Sequence, residues 1–376
     1  MATGKIDVVF LHCDQGMGTL VRIYDKLDRL AHLALLDLGS ESGSKKYSDT
    51  AINAVIRALK QMEKDGFTPT IDLLLISHQD FDHWSLLPRL LERIQDEIPD
   101  CEVDDIFYGG RKWRKKATEA LEDWEDEFDV VAEPFAKETT DYGKAGTKDN
   151  IKIIDGVGFH LLCANVPVSR SAQDLARNGT SAVVCINFGG VNAVIPGDAT
   201  ADTVGWINDN VFDLWKKKKK DNPVQPCRAL GAPHHGALRT IASNFVSNTD
   251  KANLDFATAF AKNVAAENVV ASAGWYSKFN HPYKEVMEVL AVKADTDKNK
   301  HDFVWYLGSK SKWAQEKKSK RGIFTTVMTL DDPPKRTGWY FTITADGEIT
   351  FHIDWEQAEE IPLPRTDRYG AEFHES

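Results

Sequence analysis

Several features that would mark a membrane or secreted protein are missing from this sequence. Its 376 residues contain no apolar run close to the ~20 residues that a membrane-spanning helix needs. The opening segment, MATGKIDVVF, lacks the apolar stretch of a secretory signal peptide. We therefore expect a cytoplasmic protein that makes no use of a membrane.

Paired cysteines are missing as well. The five cysteines are scattered along the chain and never form a CxxC pair. An odd number of separated cysteines predicts neither a disulfide framework nor a zinc site made of thiolates. We expect these residues to be ordinary core or surface side chains.

The chain also has no excess of positive charge. Its formal net charge of −11 disfavours a protein that grips duplex nucleic acid over a wide face, because such binding depends on neutralising phosphates. Two local basic stretches, residues 111 to 116 and the five lysines at 216 to 220, are exceptions. The lysine run is more typical of a solvated helix end than of a binding site.

Internal repeats, low-complexity tracts and clear linkers are absent too, which favours one domain over residues 1 to 376. An apolar content of 42% is enough for a large core. Strand-like and helical segments alternate, and hairpins are predicted around Gly189-Gly190 and Ala345-Asp346-Gly347. This pattern indicates a mixed α/β architecture.

A dense polar cluster follows one predicted strand. Residues 71 to 76, IDLLLI, read as a buried strand, and helical spacing resumes over residues 85 to 98. Between them lies HQDFDH, which places His78, Asp80, Asp82 and His83 within six residues. Ligand sites in α/β folds favour the carboxyl ends of strands, so we interpret the cluster as metal-binding. The alternative is a polar loop in which Asp82 caps the next helix.

Three later motifs have the same chemical character. The segment IPGD brings Asp198 to the end of a strand, and PHHG places His234 and His235 in a loop bounded by proline and glycine. Residues 272 to 282, SAGWYSKFNHP, end with His281 before a proline. For His281 a capped turn that opens a helix is as good an interpretation as a functional role.

The order of these motifs resembles that of the metallo-β-lactamase superfamily and, within it, the hydrolase module of ComEC-type competence proteins. The general signature HxHxDH becomes HxDxDH in that branch, as it does here with Asp80. Other segments that carry the resemblance are FLHCDQGMG, LLDLG, the lead from Asn178 into a strand, PGDA, PHHGA and FNHP. Together they span residues 8 to about 290.

The resemblance implies a four-layered αββα sandwich of mixed α+β and α/β class. It places the metals at one edge of the two sheets. We expect the strands from about residue 303 onward to complete the second sheet.

The resemblance also implies a pair of divalent metal ions. His78 and Asp80 would hold the first ion, Asp82 and His83 the second, and Asp198 would bridge them. Either His234 or His235 would complete the set. The hard carboxylate of Asp80 favours Mn²⁺ beside Zn²⁺, with Mg²⁺ as a further option.

We predict a phosphodiesterase or nuclease that acts on single-stranded nucleic acid or a nucleotide. The residues expected to take part in catalysis are Asp82, His235 and His281. Substrate contacts are expected from Lys278, Asn178 and Ser272.

The chain departs from the family at one ligand. Members usually have a central histidine between the first motif and the Gly-Asp, whereas here His160 is the sole histidine in that interval and lies inside an apolar strand. We interpret His160 as a core residue. One metal is then poorly coordinated, exchangeable or completed by substrate.

Two other functions stay open: an ester, thioester or lactam hydrolase, and a degenerate metal-binding module that assists a protein partner. A homodimer stays open as well.

Overall fold

The computed structural model describes residues 2–41, 45–144, 149–169, 173–244, 252–272, 280–293, 302–316, 322–331 and 335–354. Lys278 lies outside the described residues, so its predicted contact with substrate stays a prediction.

The strands of the described chain, numbered in chain order, have the following bounds: β1 Thr3–Phe10, β2 Gly18–Asp25, β3 Leu30–Leu38, β4 Thr70–Ile76, β5 Glu102–Val103, β6 Ile106–Tyr108, β7 Ala132–Pro134, β8 Lys152–Ile154, β9 Val157–Cys163, β10 Val183–Phe188, β11 Val191–Ile195, β12 Cys227–Gly231, β13 Asn268–Ala271, β14 Phe303–Leu307, β15 Lys312–Glu316, β16 Ile323–Thr325, β17 Gly338–Thr344 and β18 Ile349–Asp354.

The helices of the same ranges are α1 Lys45–Lys64, α2 Phe81–Trp84, α3 Leu87–Glu97, α4 Lys115–Phe128, α5 Gln173–Asn178, α6 Ala201–Ile207, α7 Asp213–Lys217, α8 Leu238–Ile241, α9 Asp255–Val264 and α10 Lys284–Leu290. No helix among the described residues is long and apolar enough to cross a membrane.

Two sheets form the centre of the molecule. The first has the order β18-β17-β1-β2-β3-β4-β6-β7, with β5 also paired to β4, and the second has the order β16-β13-β12-β11-β10-β9-β8. Strands β14 and β15 form a separate antiparallel hairpin. The predicted hairpin over Gly189-Gly190 is confirmed by the antiparallel pairing of β10 with β11.

Three apolar clusters define the layers. Between the sheets, Val8 of β1 packs in one cluster with Val184 of β10 and Phe324 of β16. The outer face of the first sheet is covered by α1, α3 and α4, and the outer face of the second by α6, α9 and α10. The predicted four-layered αββα sandwich is therefore confirmed.

The layers explain why the second half of β4 reads as a continuous apolar run. Successive side chains of a strand point to opposite faces of its sheet. Leu74 and Ile76 accordingly face the helices, whereas Leu73 and Leu75 face the second sheet. Because both faces are covered, the four consecutive positions Leu73 to Ile76 are all apolar.

The end of the chain corrects one prediction. Of the strands after residue 303, β16 does join the second sheet, parallel to β13. Strands β17 and β18 instead extend the first sheet, because β17 pairs antiparallel with β1 from Phe10↔Trp339 to Lys5↔Thr344. This pairing covers β1, which would otherwise be an exposed edge with unpaired backbone groups.

Trp339 joins the two sheets and offers a test of this arrangement. Its fully buried ring contacts Phe324 with centroids 4.9 Å apart, and its Nε1 donates to the Thr325 carbonyl at 2.8 Å. We predict that Trp339→Ala lowers the free energy of unfolding by about 3–5 kcal/mol in chemical denaturation. Leu27→Ala, at a side chain that is 74% exposed, should change it little. Equal effects of the two substitutions would contradict the packing described.

Candidate metal centre

The first motif lies where β4 meets its helices. Ser77 to Asp80 form the connecting loop, and Asp82 and His83 lie on the single-turn helix α2. A Cβ on Gly39 would come within 2.3 Å of the Asp82 carbonyl carbon, so only glycine lets the end of β3 approach α2 this closely. Asp82 sits inside α2 and does not cap a helix, which removes the alternative interpretation of this residue.

The second sheet supplies the other candidate ligands from its strand ends. Asp198 follows β11, is almost fully buried, and has its backbone N–H donating to Ser181 Oγ at 3.1 Å. His234 and His235 follow β12 in a turn where both residues have positive φ, 47° and 53°. Such values are uncommon for residues other than glycine, and they cluster at functional sites.

The two oxygens of Asp198 face different histidines. Its Oδ1 lies 3.1 Å from His83 Nε2 and 3.7 Å from His235 Nε2. Its Oδ2 lies 3.1 Å from His234 Nδ1 and 3.8 Å from His78 Nε2. The carboxylate therefore lies between two groups of side chains.

The group on the Oδ1 side has the geometry of a metal site. Ligand atoms of Asp82, His83, Asp198 and His235 all lie within 4.8 Å of one another. Within the described ranges, the buried atoms His83 Nε2, His235 Nε2 and Asp198 Oδ1 have no hydrogen-bond partner. Buried polar atoms without partners are costly, and a bound cation would satisfy all three at once. The residues present thus fit a divalent ion.

The protein holds the Nδ1 atoms of two imidazole rings, those of His83 and His235. His83 Nδ1 lies 2.9 Å from Asp37 Oδ2, and His235 Nδ1 lies 2.6 Å from the Ser272 carbonyl oxygen. Such bonds leave Nε2 of each ring as the atom that faces the centre. The Ser272 side chain donates to the Gly16 carbonyl at 2.8 Å, away from the centre. This placement does not favour the predicted contact of Ser272 with substrate.

The remaining predicted residues surround the centre. Asn178 Nδ2 lies 2.9 Å from His234 Nδ1. The ring of His281 stacks on His235, with centroids 5.5 Å apart and planes at 8°, and its Nε2 lies 2.7 Å from Gln15 Nε2. Asp80 lies on the cavity wall, where it pairs with Arg177.

His160 is a core residue, as predicted. It lies in β9, is almost fully buried, and has its Nδ1 2.6 Å from the Asp149 carbonyl oxygen. Its ring packs against Tyr142.

Three residues of the site were not singled out from the sequence. Asp37 belongs to the quoted LLDLG motif and Gln15 to FLHCDQGMG, so their segments were noted but not their roles. Arg177 has no local pattern that separates it from a surface arginine. Its role depends on a contact with Asp80, 97 residues away in sequence.

Burial and neighbouring charges set the ionisation of the centre. Burial alone would raise the pKa of Asp82, but His83 and His235 lower it to about 2. Burial also opposes a charge on His83, yet Asp198 and Asp37 hold its pKa well above the usual value. For His78, burial and the nearby His83 lower the pKa to about 4. At pH 7 Asp82 is thus ionised and His78 neutral, the forms that bind cations, whereas His83 is protonated and would have to release its proton to a cation.

The centre opens onto a cavity of about 730 Å³. Its wall carries basic side chains from several elements, namely Arg114, Lys115, Lys116, Arg177 and Arg239. Two aromatic residues of α2, Phe81 and Trp84, also line it. The lysine run at residues 216 to 220 is exposed at the end of α7, in agreement with a solvated helix end.

No family model matches this sequence, and no curated protein matches it. Similar solved structures include the metallo-β-lactamase fold protein YhfI from Bacillus subtilis, 13% identical, with a TM-score of 0.39 over 77% of this chain and 94% of that one. Unliganded yeast PDE1 is 9% identical, with a TM-score of 0.41 over 76% and 93% of the two chains. A long form RNase Z from yeast is 9% identical, with a TM-score of 0.37 over 73% of this chain and 38% of its own. The roles of individual residues therefore depend on the geometry of this chain.

Asp37 offers a test of the centre because the fold contains a matched pair elsewhere. Asp37 accepts from the Ser77 backbone at 2.6 Å and contacts His83, whereas Asp72 accepts from the Leu33 backbone at 2.9 Å and contacts His32 at 2.7 Å. We predict that Asp37→Ala weakens Zn²⁺ or Mn²⁺ binding roughly 10- to 100-fold, measured by competition with a chromophoric chelator. Asp72→Ala should leave the affinity unchanged. Equal affinities in both variants would contradict the role of Asp37.

Proposed function

We propose that this chain is a metal-dependent hydrolase of the metallo-β-lactamase type that cleaves phosphodiester bonds in single-stranded nucleic acid or a nucleotide. One observation carries the proposal: the cluster of Asp82, His83, Asp198 and His235 opens onto a cavity with a basic wall. The order of the sequence motifs supports a closer relation to the ComEC-type hydrolase module.

The charge of the cavity wall favours an anionic substrate. Five cations line it, and they outnumber the four carboxylates of the same wall, Glu41, Asp80, Asp82 and Asp198, although the chain as a whole carries a net charge of −11. Two of these carboxylates, Asp82 and Asp198, belong to the metal cluster. Arginine and lysine bind phosphate oxygens through charge-assisted hydrogen bonds. Three of the five are consecutive, Arg114 to Lys116, at the start of α4, where the helix dipole adds to their field. A phosphate chain entering the cavity would pass this segment.

The donor set indicates which metals fit. Two imidazole nitrogens and two carboxylate oxygens suit Zn²⁺ or Mn²⁺ better than Mg²⁺, which prefers oxygen ligands and water. When bound, such an ion supplies Lewis-acid charge for a phosphoryl oxygen and lowers the pKa of water toward neutrality. A second ion, as in the predicted pair, would have to use His78, Asp80 and His234.

His281 takes part as a neutral ring. Burial and the nearby His235 and His234 lower its pKa well below the usual value. With Nε2 accepting from the Gln15 amide, the proton of the neutral ring lies on Nδ1. We assign His281 a hydrogen-bonding role towards the substrate, in place of a charged acid.

The activity itself can be tested with bis(p-nitrophenyl) phosphate and a labelled single-stranded oligonucleotide, in the presence of Mn²⁺ or Zn²⁺. We predict cleavage of both substrates. In Asp82→Ala and Asp198→Ala the rate should fall more than about 100-fold, because a direct ligand matters at least as much as the outer partners of a metal. Asp346→Ala, at the exposed turn between β17 and β18, is the matched control and should keep the parental rate.

Three results would contradict the proposal. Equal rates in the parent and in Asp82→Ala would show that the centre does not catalyse the reaction. Ester or lactam turnover without phosphodiester turnover would indicate the other hydrolase class. A protein that binds no metal by elemental analysis would favour a module that assists a partner.

Phe81 offers a test of the substrate class. Its side chain is 48% exposed on the cavity wall and contacts the edge of Trp84, with centroids 5.3 Å apart. An aromatic face at this place suits a nucleobase, and each such stacking contact contributes about 1–3 kcal/mol. We predict that Phe81→Ala raises KM for an oligonucleotide roughly 5- to 100-fold. Phe256→Ala, at a similarly exposed phenylalanine on α9, should leave KM unchanged, and equal KM values would exclude stacking on Phe81.

A further inference from the structure

The two sides of Asp198 are not equally ready to hold a metal. Among the described residues, the cluster of Asp82, His83, Asp198 and His235 is the one group whose ligand atoms converge. On the opposite side lie His78, Asp80 and His234, which would have to hold a second ion. The contacts of Asp80 and His234 show that these side chains already have partners within the protein.

Asp80 is already paired with a cation. Arg177 Nε donates to Asp80 Oδ1 at 2.5 Å, and a second guanidinium nitrogen lies 3.5 Å from Oδ2. Both side chains are largely shielded, with 25% and 18% of their surfaces exposed. A guanidinium stays protonated at any pH that the protein experiences. A divalent ion at Asp80 would therefore meet a fixed positive charge.

His234 is also engaged. Its Nδ1 lies 2.9 Å from Asn178 Nδ2 and 3.1 Å from Asp198 Oδ2. This nitrogen is engaged by the protein, and neither nitrogen of His234 converges with the ligand atoms of His78 and Asp80 among the described residues. On this side His78 Nε2 is the buried nitrogen without a hydrogen-bond partner in the described chain. One imidazole and a shared carboxylate do not make a closed site.

We propose that this chain holds one divalent ion, at Asp82, His83, Asp198 and His235, and that the Arg177 guanidinium takes the place of a second one. Asp80 is then a positioning residue that holds Arg177 at the cavity wall. Arg177 presents its remaining donors to a phosphoryl oxygen of the substrate. This inference rests on the proposed function, since it assigns Arg177 to the same phosphodiester.

The chemistry of a guanidinium supports the replacement of a second metal ion by Arg177. Like a second metal, a guanidinium places positive charge beside the phosphate, and its planar donors match the oxygens of a phosphate in pairs. It differs from a metal because it is covalently attached and cannot be removed by a chelator.

Metal content tests the proposal without an activity assay. The protein is stripped with a chelator, reloaded with Zn²⁺ or Mn²⁺, desalted and analysed by mass spectrometry of the metal. We expect one equivalent in the parent, one in Asp80→Asn, and less than about one fifth of an equivalent in Asp82→Asn. Asp346→Asn is the matched control and should keep one equivalent.

Electron paramagnetic resonance of the Mn²⁺-loaded parent gives a second measurement that needs no variant. An isolated Mn²⁺ ion gives a six-line spectrum, whereas a coupled pair gives a multiline spectrum with narrower spacing. Two equivalents in the parent that fall to one in Asp80→Asn, or a coupled spectrum, would overturn the proposal.

Substrate binding tests the role of Arg177. We expect Arg177→Ala to keep one equivalent of metal while KM for the oligonucleotide rises at least about 10-fold, with partial recovery in Arg177→Lys. An unchanged KM would overturn the assignment. If phosphodiesters are cleaved but two ions are bound, this inference fails alone. If no metal binds and no phosphodiester is cleaved, the proposed function fails with it.

Discussion

The carboxylate of Asp198 is the constraint on which the rest of the site depends. It is almost fully buried, and the cost of removing a charge from water is offset only if other groups satisfy both oxygens. Histidines from the two different sheets lie beside both oxygens, and a cation on the Oδ1 side would complete the contacts of that oxygen. Burial alone would raise the pKa of Asp198, but His234 and His83 hold it well below its usual value. The cluster is thus electrostatically balanced around one ionised group.

The backbone around this carboxylate adopts conformations that must be held in place. Asp37 has a φ of 56°, and His234 and His235 also have positive φ. Residues in such regions cost on the order of 1–3 kcal/mol each and persist where the surroundings determine them. Here the surroundings are the bonds from Asp37 to Ser77 and His83, and the bond from His235 to Ser272. The same hydrogen bonds that stabilise these strained backbone conformations also orient the imidazole rings.

Local sequence patterns predicted much of the fold and the side chains proposed as ligands of the metal centre. The run at β4, the Gly189-Gly190 hairpin and the C-terminal hairpin are set by residues close in sequence, so periodicity and turn chemistry were sufficient. The prediction that β17 belongs to the second sheet was wrong. Its pairing with β1 joins positions more than 300 residues apart, so no local sequence signal indicates it. Arg177 was missed for the same reason, since an arginine acquires its role from a distant carboxylate. Ser272 was noted, but only the structure shows that its carbonyl faces His235.

The candidate ligands of the centre come from both halves of the sandwich. Asp82 and His83 follow a strand of the first sheet, whereas Asp198 and His235 follow strands of the second. A cation bound there would therefore link the two sheets across the edge at which they meet. Folding of either sheet alone leaves only half of the ligands in place, and high affinity arises when the sheets have docked in register. Occupancy of the site would then report that the chain has folded completely, and a molecule whose sheets have begun to separate would hold the ion less tightly.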